Sequence, residues 1–332
     1  MKLRDTSLSH IRGFNYQPSF SLHGLVRWID RYDPAAVERE LARGRALFPW
    51  MNAVRVWLSH DAWMADRDRF LANLRAEMAV LRRLRLKAMP VIFNGWHGLP
   101  DYGGLGPMAA QRSANAENRR RLFLDYVADV FAACAPEAET VCVWDLCNEP
   151  WLHYQDAESK VRAGFLAILQ GAAAELRACG ARGPIGVGNW GKPEDDRLCA
   201  PFVDCLLTHR YWAHQYMKFE WFEHNVRATV ELANELGKPL VVSECTWGRW
   251  DDAERAEAMA REIDVIAATG AGFLPYVLWE SPVADCHGKA AGFTYDADAP
   301  GDLCFIRRDG SLRPGHDRIN DVVARHPAPA PR

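Results

Sequence analysis

The stretch VWDLCNEPW (residues 143–151) decides how the chain is read. It opens as an apolar run, the composition of a strand covered on both faces, and closes on Asn148, Glu149 and Pro150. A buried parallel strand has no place for those three in its interior, but its carboxyl end does. The run predicts a strand that delivers a carboxylate to the edge of a sheet.

Seven more segments share the pattern of a short β-rich run bounded by Gly, Pro, Asn or Asp. They are IRGFNY (11–16), NAVRVWLS (52–59), KAMPVIFN (87–94), PIGVGNW (184–190), CLLTHRYW (205–212), PLVVSEC (239–245) and GFLPYVLW (272–279), with TVCVWDLC (140–147) as the fourth in order. Helical spacing fills the gaps. Asp33 and Pro34 form an N-cap and first turn for a helix carrying Val37, Leu41 and Phe48, and a second helix spans about 68–86. Further helices are predicted over 114–134, 157–179, 219–236, 252–268 and 314–325, with only a short turn in 191–203.

Eight strands alternating with helices imply an α/β protein with a parallel sheet. At 332 residues, eight repeats fit a single (β/α)8 TIM barrel better than an open doubly wound sheet. No Gly-rich phosphate fingerprint follows the first strand, which argues against a dinucleotide fold. The barrel is expected over 1–326, with 327–332 a disordered tail. Two long irregular segments, 95–107 and 281–303, follow strands and belong to the barrel face that carries chemistry.

Composition narrows the function. A net charge of −3 offers no basic excess for nucleic acid, and no window approaches a membrane span. The N-terminus lacks the apolar core of a signal peptide, so a cytoplasmic location is expected. The nine cysteines contain no CxxC pair and several lie in apolar runs, as reduced thiols do. No HExxH occurs among eleven histidines, and neither a metal nor a cofactor is expected.

The seventh strand ends like the fourth, with Glu244 after VVS. Three strand–helix units separate the two glutamates, which places them across the barrel mouth from each other. Two facing carboxylates suit acetal hydrolysis, one giving a proton to the leaving group while the other stays ionised. Taken singly, each is as readily a turn residue or a solvated strand end. Other strand ends decide: Arg55 needs a buried carboxylate partner, for which Glu244 is the candidate, and His209 and Tyr211 point to one face of their strand. A Tyr hydroxyl beside a nucleophilic carboxylate keeps it ionised. Trp57, Trp96, Trp151, Trp190, Trp212, Trp247 and Trp279 all fall at or just past strand ends, and flat aromatic walls suit the apolar faces of sugar rings.

This ordered set resembles the retaining glycoside hydrolases of clan A, most closely the cellulase-like family 5, over nearly the whole chain. The resemblance implies that Glu149 is the general acid/base, Glu244 the nucleophile and Asn148 a contact of the sugar 2-hydroxyl. It implies that Arg55, His209 and Tyr211 position the nucleophile, that His97 follows strand three, and that Trp279 floors the reacting subsite. Trp57, Trp96 and Trp247 are expected as further sugar contacts. Glu280 is expected as a sugar contact or a rival nucleophile, which strand alternation turns away from Trp279. The expected substrate is a small β-linked oligosaccharide or β-glycoside, cut from the chain end or in short chains. A transglycosylase and a catalytically inactive carbohydrate-binding barrel are the alternatives, and the oligomeric state is not readable from the sequence.

Overall fold

A computed structural model describes residues 1–95, 105, 113, 115–150, 160–283 and 301–329. Eight parallel strands follow one another in sequence order around one sheet: β1 (Gly13–Tyr16), β2 (Ala53–Trp57), β3 (Lys87–Asn94), β4 (Trp144–Asn148), β5 (Ile185–Asn189), β6 (Leu206–His209), β7 (Leu240–Glu244) and β8 (Gly272–Phe273). A parallel bridge between Arg12 and Phe273, with Phe273 N–H donating to the Ile11 carbonyl at 3.0 Å, joins β8 back to β1. The protein is a (β/α)8 TIM barrel.

Local chemistry sets the helices. Asp33 accepts from the amides of Ala35 and Ala36 while Pro34 occupies the first turn of Pro34–Leu47, as its sequence demands. The helices Phe219–Leu236 and Asp252–Thr269 stop at Gly237 and Gly270, both left-handed. One short helix, His60–Ala65, was not foreseen; Ser59 caps it through Ala62 N–H, but six residues are too few for a periodic signal. The eighth strand is shorter than GFLPYVLW suggested. Pro275 lacks a donor and interrupts the ladder, yet Leu274, Tyr276 and Leu278 still donate to Val242, Cys245 and Asn15, so the segment keeps its place between β7 and β1 without regular strand geometry.

Side chains separate into two shells. Ile11, Ala53, Met89, Val143, Cys205, Leu207, Val241 and Leu274 plug the barrel interior, whereas the strands' other faces meet the helices in a larger aliphatic and aromatic layer. Alternation therefore has a fixed phase on each strand, and two strands break it just before their glutamates. On β4, Asp145 pairs with Gly186 and Asn148 with Gly188, so β4 carries one extra residue; on β7, Val242 pairs with Thr208 and Glu244 with His209, again one extra. Each bulge turns the residues beyond it to the opposite face.

All described cysteines are free, and most are buried. No helix among the described residues is long and apolar enough to cross a membrane. Phe14 on β1 is fully buried, 4.9 Å between ring centroids from both Phe48 and Phe305, and so ties the barrel wall to its first helix and to the C-terminal segment. Phe14→Ala is expected to cost about 3–5 kcal/mol, read as a lowered denaturant midpoint.

Candidate active site

At the centre of the barrel stands Arg55, fully buried directly above the apolar plug. All five of its N–H groups find acceptors. Nε and Nη2 donate to Asp145 Oδ2 at 2.9 and 2.8 Å, Nη2 also to Asn148 Oδ1 at 3.0 Å, and Nη1 to Asn15 Oδ1 at 3.0 Å and to Glu244 Oε1. Its ring neighbour Trp57 lies 4.9 Å away under the guanidinium. The expected Arg55–Glu244 pair is present, but Asp145 is the more extensive partner. Asp145 was visible as a charge inside an apolar strand, and an Arg buried on β2 was the signal that one carboxylate would not be enough.

Asp145 does a second job at the bulge of β4. Its Oδ1 accepts from Gly188 N–H at 3.0 Å and Cys147 N–H at 3.3 Å, satisfying donors near the irregularity in the ladder. Past the bulge, Asn148 is held from both ends, since its Nδ2 also donates to Asn94 Oδ1 at 3.1 Å. Glu149 then takes a left-handed backbone, φ 46°, with its amide bonded to Gly188. The end of β3 presses so closely on this turn that a Cβ on Gly95 would lie 2.4 Å from Pro150 Cα, so the site requires glycine there. Gly188 is equally constrained, because its Cβ would come within 2.9 Å of Arg55 Nη2 and 3.0 Å of Asp145 Oδ2.

Glu149 and Glu244 converge. Their carboxylates and the His209 ring offer donor atoms all within 4.8 Å of one another, and each glutamate is 5% exposed. Tyr211 donates its hydroxyl to Glu244 Oε2 at 2.6 Å, and His209 Nδ1 lies 2.6 Å from Glu149 Oε1 and 3.5 Å from Glu244 Oε2. His209 therefore serves the first glutamate more closely than the second. Burial and the nearby Arg55 and Arg210 charges hold its pKa well below the usual range, so the imidazole is neutral. Its Nε2 has no partner among the described residues, and the tautomer that wastes no donor carries the proton on Nδ1, facing Glu149.

The two carboxyls have different surroundings. Burial and then the Glu244 charge push Glu149 well above the usual carboxylate range. Burial raises Glu244 as well, but the Arg55 charge and the bonds from Tyr211 and Arg55 oppose it, so Glu149 is the more strongly raised and holds a proton the more readily of the two. Tyr211 is itself raised well above its ordinary value by burial and then by the Glu244 charge, and remains a donor. The same three side chains are the candidate metal donors among the described residues, but the Arg55 guanidinium already holds Glu244 and repels a second cation. The set fits proton transfer better than metal binding.

The aromatic residues fall into separate places. Trp247 meets Tyr211 edge-on at 5.1 Å and donates to Gln215 at 2.8 Å. Trp279 is 6% exposed and bridged to Ile306, and a Cβ on Gly310 would lie 3.8 Å from its Cη2, so the ring faces the turn beyond β8. Glu280 is turned to that same region, where its Oε2 accepts from Arg308 N–H at 3.3 Å. Tyr276, not singled out in the sequence, is partly exposed and edge-on to Trp57 at 6.5 Å, with its amide on Cys245 at 2.9 Å. Trp96, His97 and Trp151 lie outside the described residues.

Glu262 is another residue that sequence reading passed over. It sits fully buried on Asp252–Thr269 and accepts from the amides of Trp212 (3.3 Å), Thr246 (3.0 Å) and Trp247 (3.3 Å). Those amides belong to the loops after β6 and β7, which flank Glu244, and Thr246 is left-handed at φ 73°. One carboxylate thus pins both loops; in the sequence it looks like any acidic helix residue.

No protein-family model matches the chain, and a search of curated proteins finds no match. Solved structures do match. A GH5_18 enzyme from Streptomyces cattleya in complex with GlcNAc superimposes with a TM-score of 0.73 at 15% identity, over 97% of this chain and 83% of that one. An endo-beta-1,4-mannanase from Thermotoga petrophila gives 0.65 at 16%, over 95% and 76%. The exo-beta-1,4-mannosidase Op5Man5 from Opitutaceae bacterium strain TAV5 gives 0.71 at 16%, over 95% and 59%. The chain shares their barrel fold.

Burial pushes Glu262 up from 4.5 to about 7. Between those values the native state holds a proton that the unfolded chain has released. Its contribution to stability is therefore complete below about pH 4.5 and lost as pH rises through about 7. Relative to Glu262→Gln, the unaltered protein is expected to lose on the order of 3 kcal/mol between those limits. Parallel denaturation curves of the two proteins across pH test this, and a pH-independent difference would refute it.

Proposed function

We propose that the protein is a retaining β-glycoside hydrolase acting on short β-linked oligosaccharides or β-glycosides. The observation that carries this reading is the pair of buried glutamates facing across the barrel mouth, with carboxylate oxygens within 4.8 Å of one another and Glu149 the more strongly raised of the two. Retaining enzymes hold their carboxyls about 5–5.5 Å apart, whereas inverting ones need about 6.5–9.5 Å to admit a water.

In the first step Glu244 attacks the anomeric carbon while Glu149 gives its proton to the departing glycosidic oxygen. The C–O bond to the leaving group breaks as the bond to Glu244 forms. Glu149, now ionised, takes a proton from water; the hydroxide oxygen bonds the anomeric carbon and releases Glu244 with its electron pair. Arg55 and Tyr211 keep Glu244 ionised before attack and receive its returning charge afterwards. The neutral His209, with Nδ1–H toward Glu149, steadies that carboxylate when it is charged and adds no positive charge that would strip its proton early. Asn148 is assigned the contact of the sugar 2-hydroxyl, and its bonds to Arg55 and Asn94 support that reading by fixing its amide. Tyr276, standing over Trp57 at the mouth, takes the role of aromatic floor that the sequence suggested for Trp279, and Trp247 extends the wall.

Glu149→Ala is expected to lower kcat roughly 10²–10⁴-fold on substrates with poor leaving groups and far less on activated aryl glycosides. Glu244→Ala should abolish turnover and regain it with azide, yielding the glycosyl azide of inverted configuration. Proton NMR of the first product formed by the unaltered enzyme should show the β anomer; an α anomer would overturn retention. A transglycosylase would instead show products that partition to added sugar acceptors. An inactive binder would show saccharide affinity without any turnover.

A further inference from the structure

A cavity of about 250 Å³ lies between the loops that follow β5 and β6, lined by Trp190, Lys192, His209, Arg210, Tyr211 and Asn225 among others. It borders the glutamate pair, since two of its lining residues, His209 and Tyr211, bond Glu149 and Glu244. Its volume falls below the ~300–1,000 Å³ of pockets for drug-sized ligands and suits one sugar unit. Trp190, 38% exposed, and Tyr211 stand 6.2 Å apart as aromatic walls.

The polar lining is cationic. Strand alternation turns His209 and Tyr211 into the barrel and Arg210 to the other face, beneath the β5 loop. Among the described residues the guanidinium bonds neutral oxygens, Nε to Thr229 Oγ1 at 2.8 Å and Nη1 to the His209 carbonyl at 3.1 Å. The acid it feels most, Asp196, is hydrogen-bonded to Asn189 instead at 2.8 Å. Burial outweighs that charge and pushes Arg210 down to about 10. Gly191, left-handed at φ 92°, makes the room, since a Cβ there would collide with Nη1. A half-buried cation whose nearest acid, Asp196, bonds elsewhere can accept an anion on its open side, and Lys192 supplies a second positive charge on the same cavity.

We propose that this cavity is a subsite for an anionic saccharide unit, a ring carrying a carboxylate or sulfate within one residue of the scissile bond. The inference rests on the glycosidase reading and names the substrate class for it. The test compares kcat/KM on β-linked disaccharides bearing a 6-carboxylate or 6-sulfate on either ring with their neutral parents. The unaltered enzyme should favour at least one anionic series about tenfold or more; carboxylate and sulfate arms separate uronic acids from sulfated sugars. Lys192→Glu and Arg210→Gln should each lower that ratio at least about tenfold, and the ratio cancels any general loss of folded enzyme. Raised ionic strength should reduce it as well. Hydrolysis of neutral parents with no anionic preference would overturn the subsite and leave the hydrolase standing. If nothing is hydrolysed, calorimetry with the same disaccharides decides: binding of an anionic one that Lys192→Glu removes would uphold the subsite, and equal binding of neutral and anionic forms would overturn it.

Discussion

One guanidinium organises the upper half of this barrel. Arg55 rises from β2 into a space that the lower part of the same barrel fills with Met89, Val143, Leu207 and Val241, and there it is sealed from bulk solvent. Everything placed around it follows from that constraint. Asp145 supplies a carboxylate from β4, Asn15 an amide from β1, Asn148 an amide from the end of β4, and Glu244 a second carboxylate from β7. Removing one such partner from a buried charge typically costs about 3–5 kcal/mol, so the arrangement is held as a unit rather than as separate contacts.

That unit also sets the difference between the two glutamates. Both are equally sealed from solvent, and burial alone would protonate both. Glu244 touches Arg55 and Tyr211, which favour its charged form; Glu149 touches a neutral histidine and faces the charge on Glu244. Two identical side chains thus acquire different proton affinities from their neighbours alone, Glu149 the higher. The proposed acid and nucleophile roles need no other source of asymmetry.

Much of this was legible in the chain. Eight apolar runs with helical spacing between them predicted the barrel, and the glutamates at the ends of the fourth and seventh runs predicted the mouth as the place of chemistry. Arg55, Asn148, His209 and Tyr211 were readable because each is a polar residue in or beside a strand too apolar to hold it without a partner. Asp145 had the same mark, but VWDLC offered no reason to choose it over Glu244 as the partner of Arg55. Glu262 and Tyr276 carried no mark, since the first acts on backbone amides of two distant loops and the second follows a proline that ends regular pairing.

The sequence by itself determined the element order, the parallel sheet and the two strand ends that carry acids, because apolar periodicity and turn residues are local properties. Which way those acids point was not local. On β7 the interior residue is Val241, so strict alternation would send Ser243 inward and Glu244 out toward the helices. The extra residue in β7 reverses that phase, whereas the one in β4 turns Asn148 in beside Arg55 and leaves Glu149 to be aimed by its left-handed backbone; both irregularities depend on how neighbouring strands pair, on Gly188 and Gly95 allowing close approach, and on Asp145 satisfying the freed amides. Only the closed barrel supplies those neighbours together, and so only tertiary structure decided that the two glutamates meet.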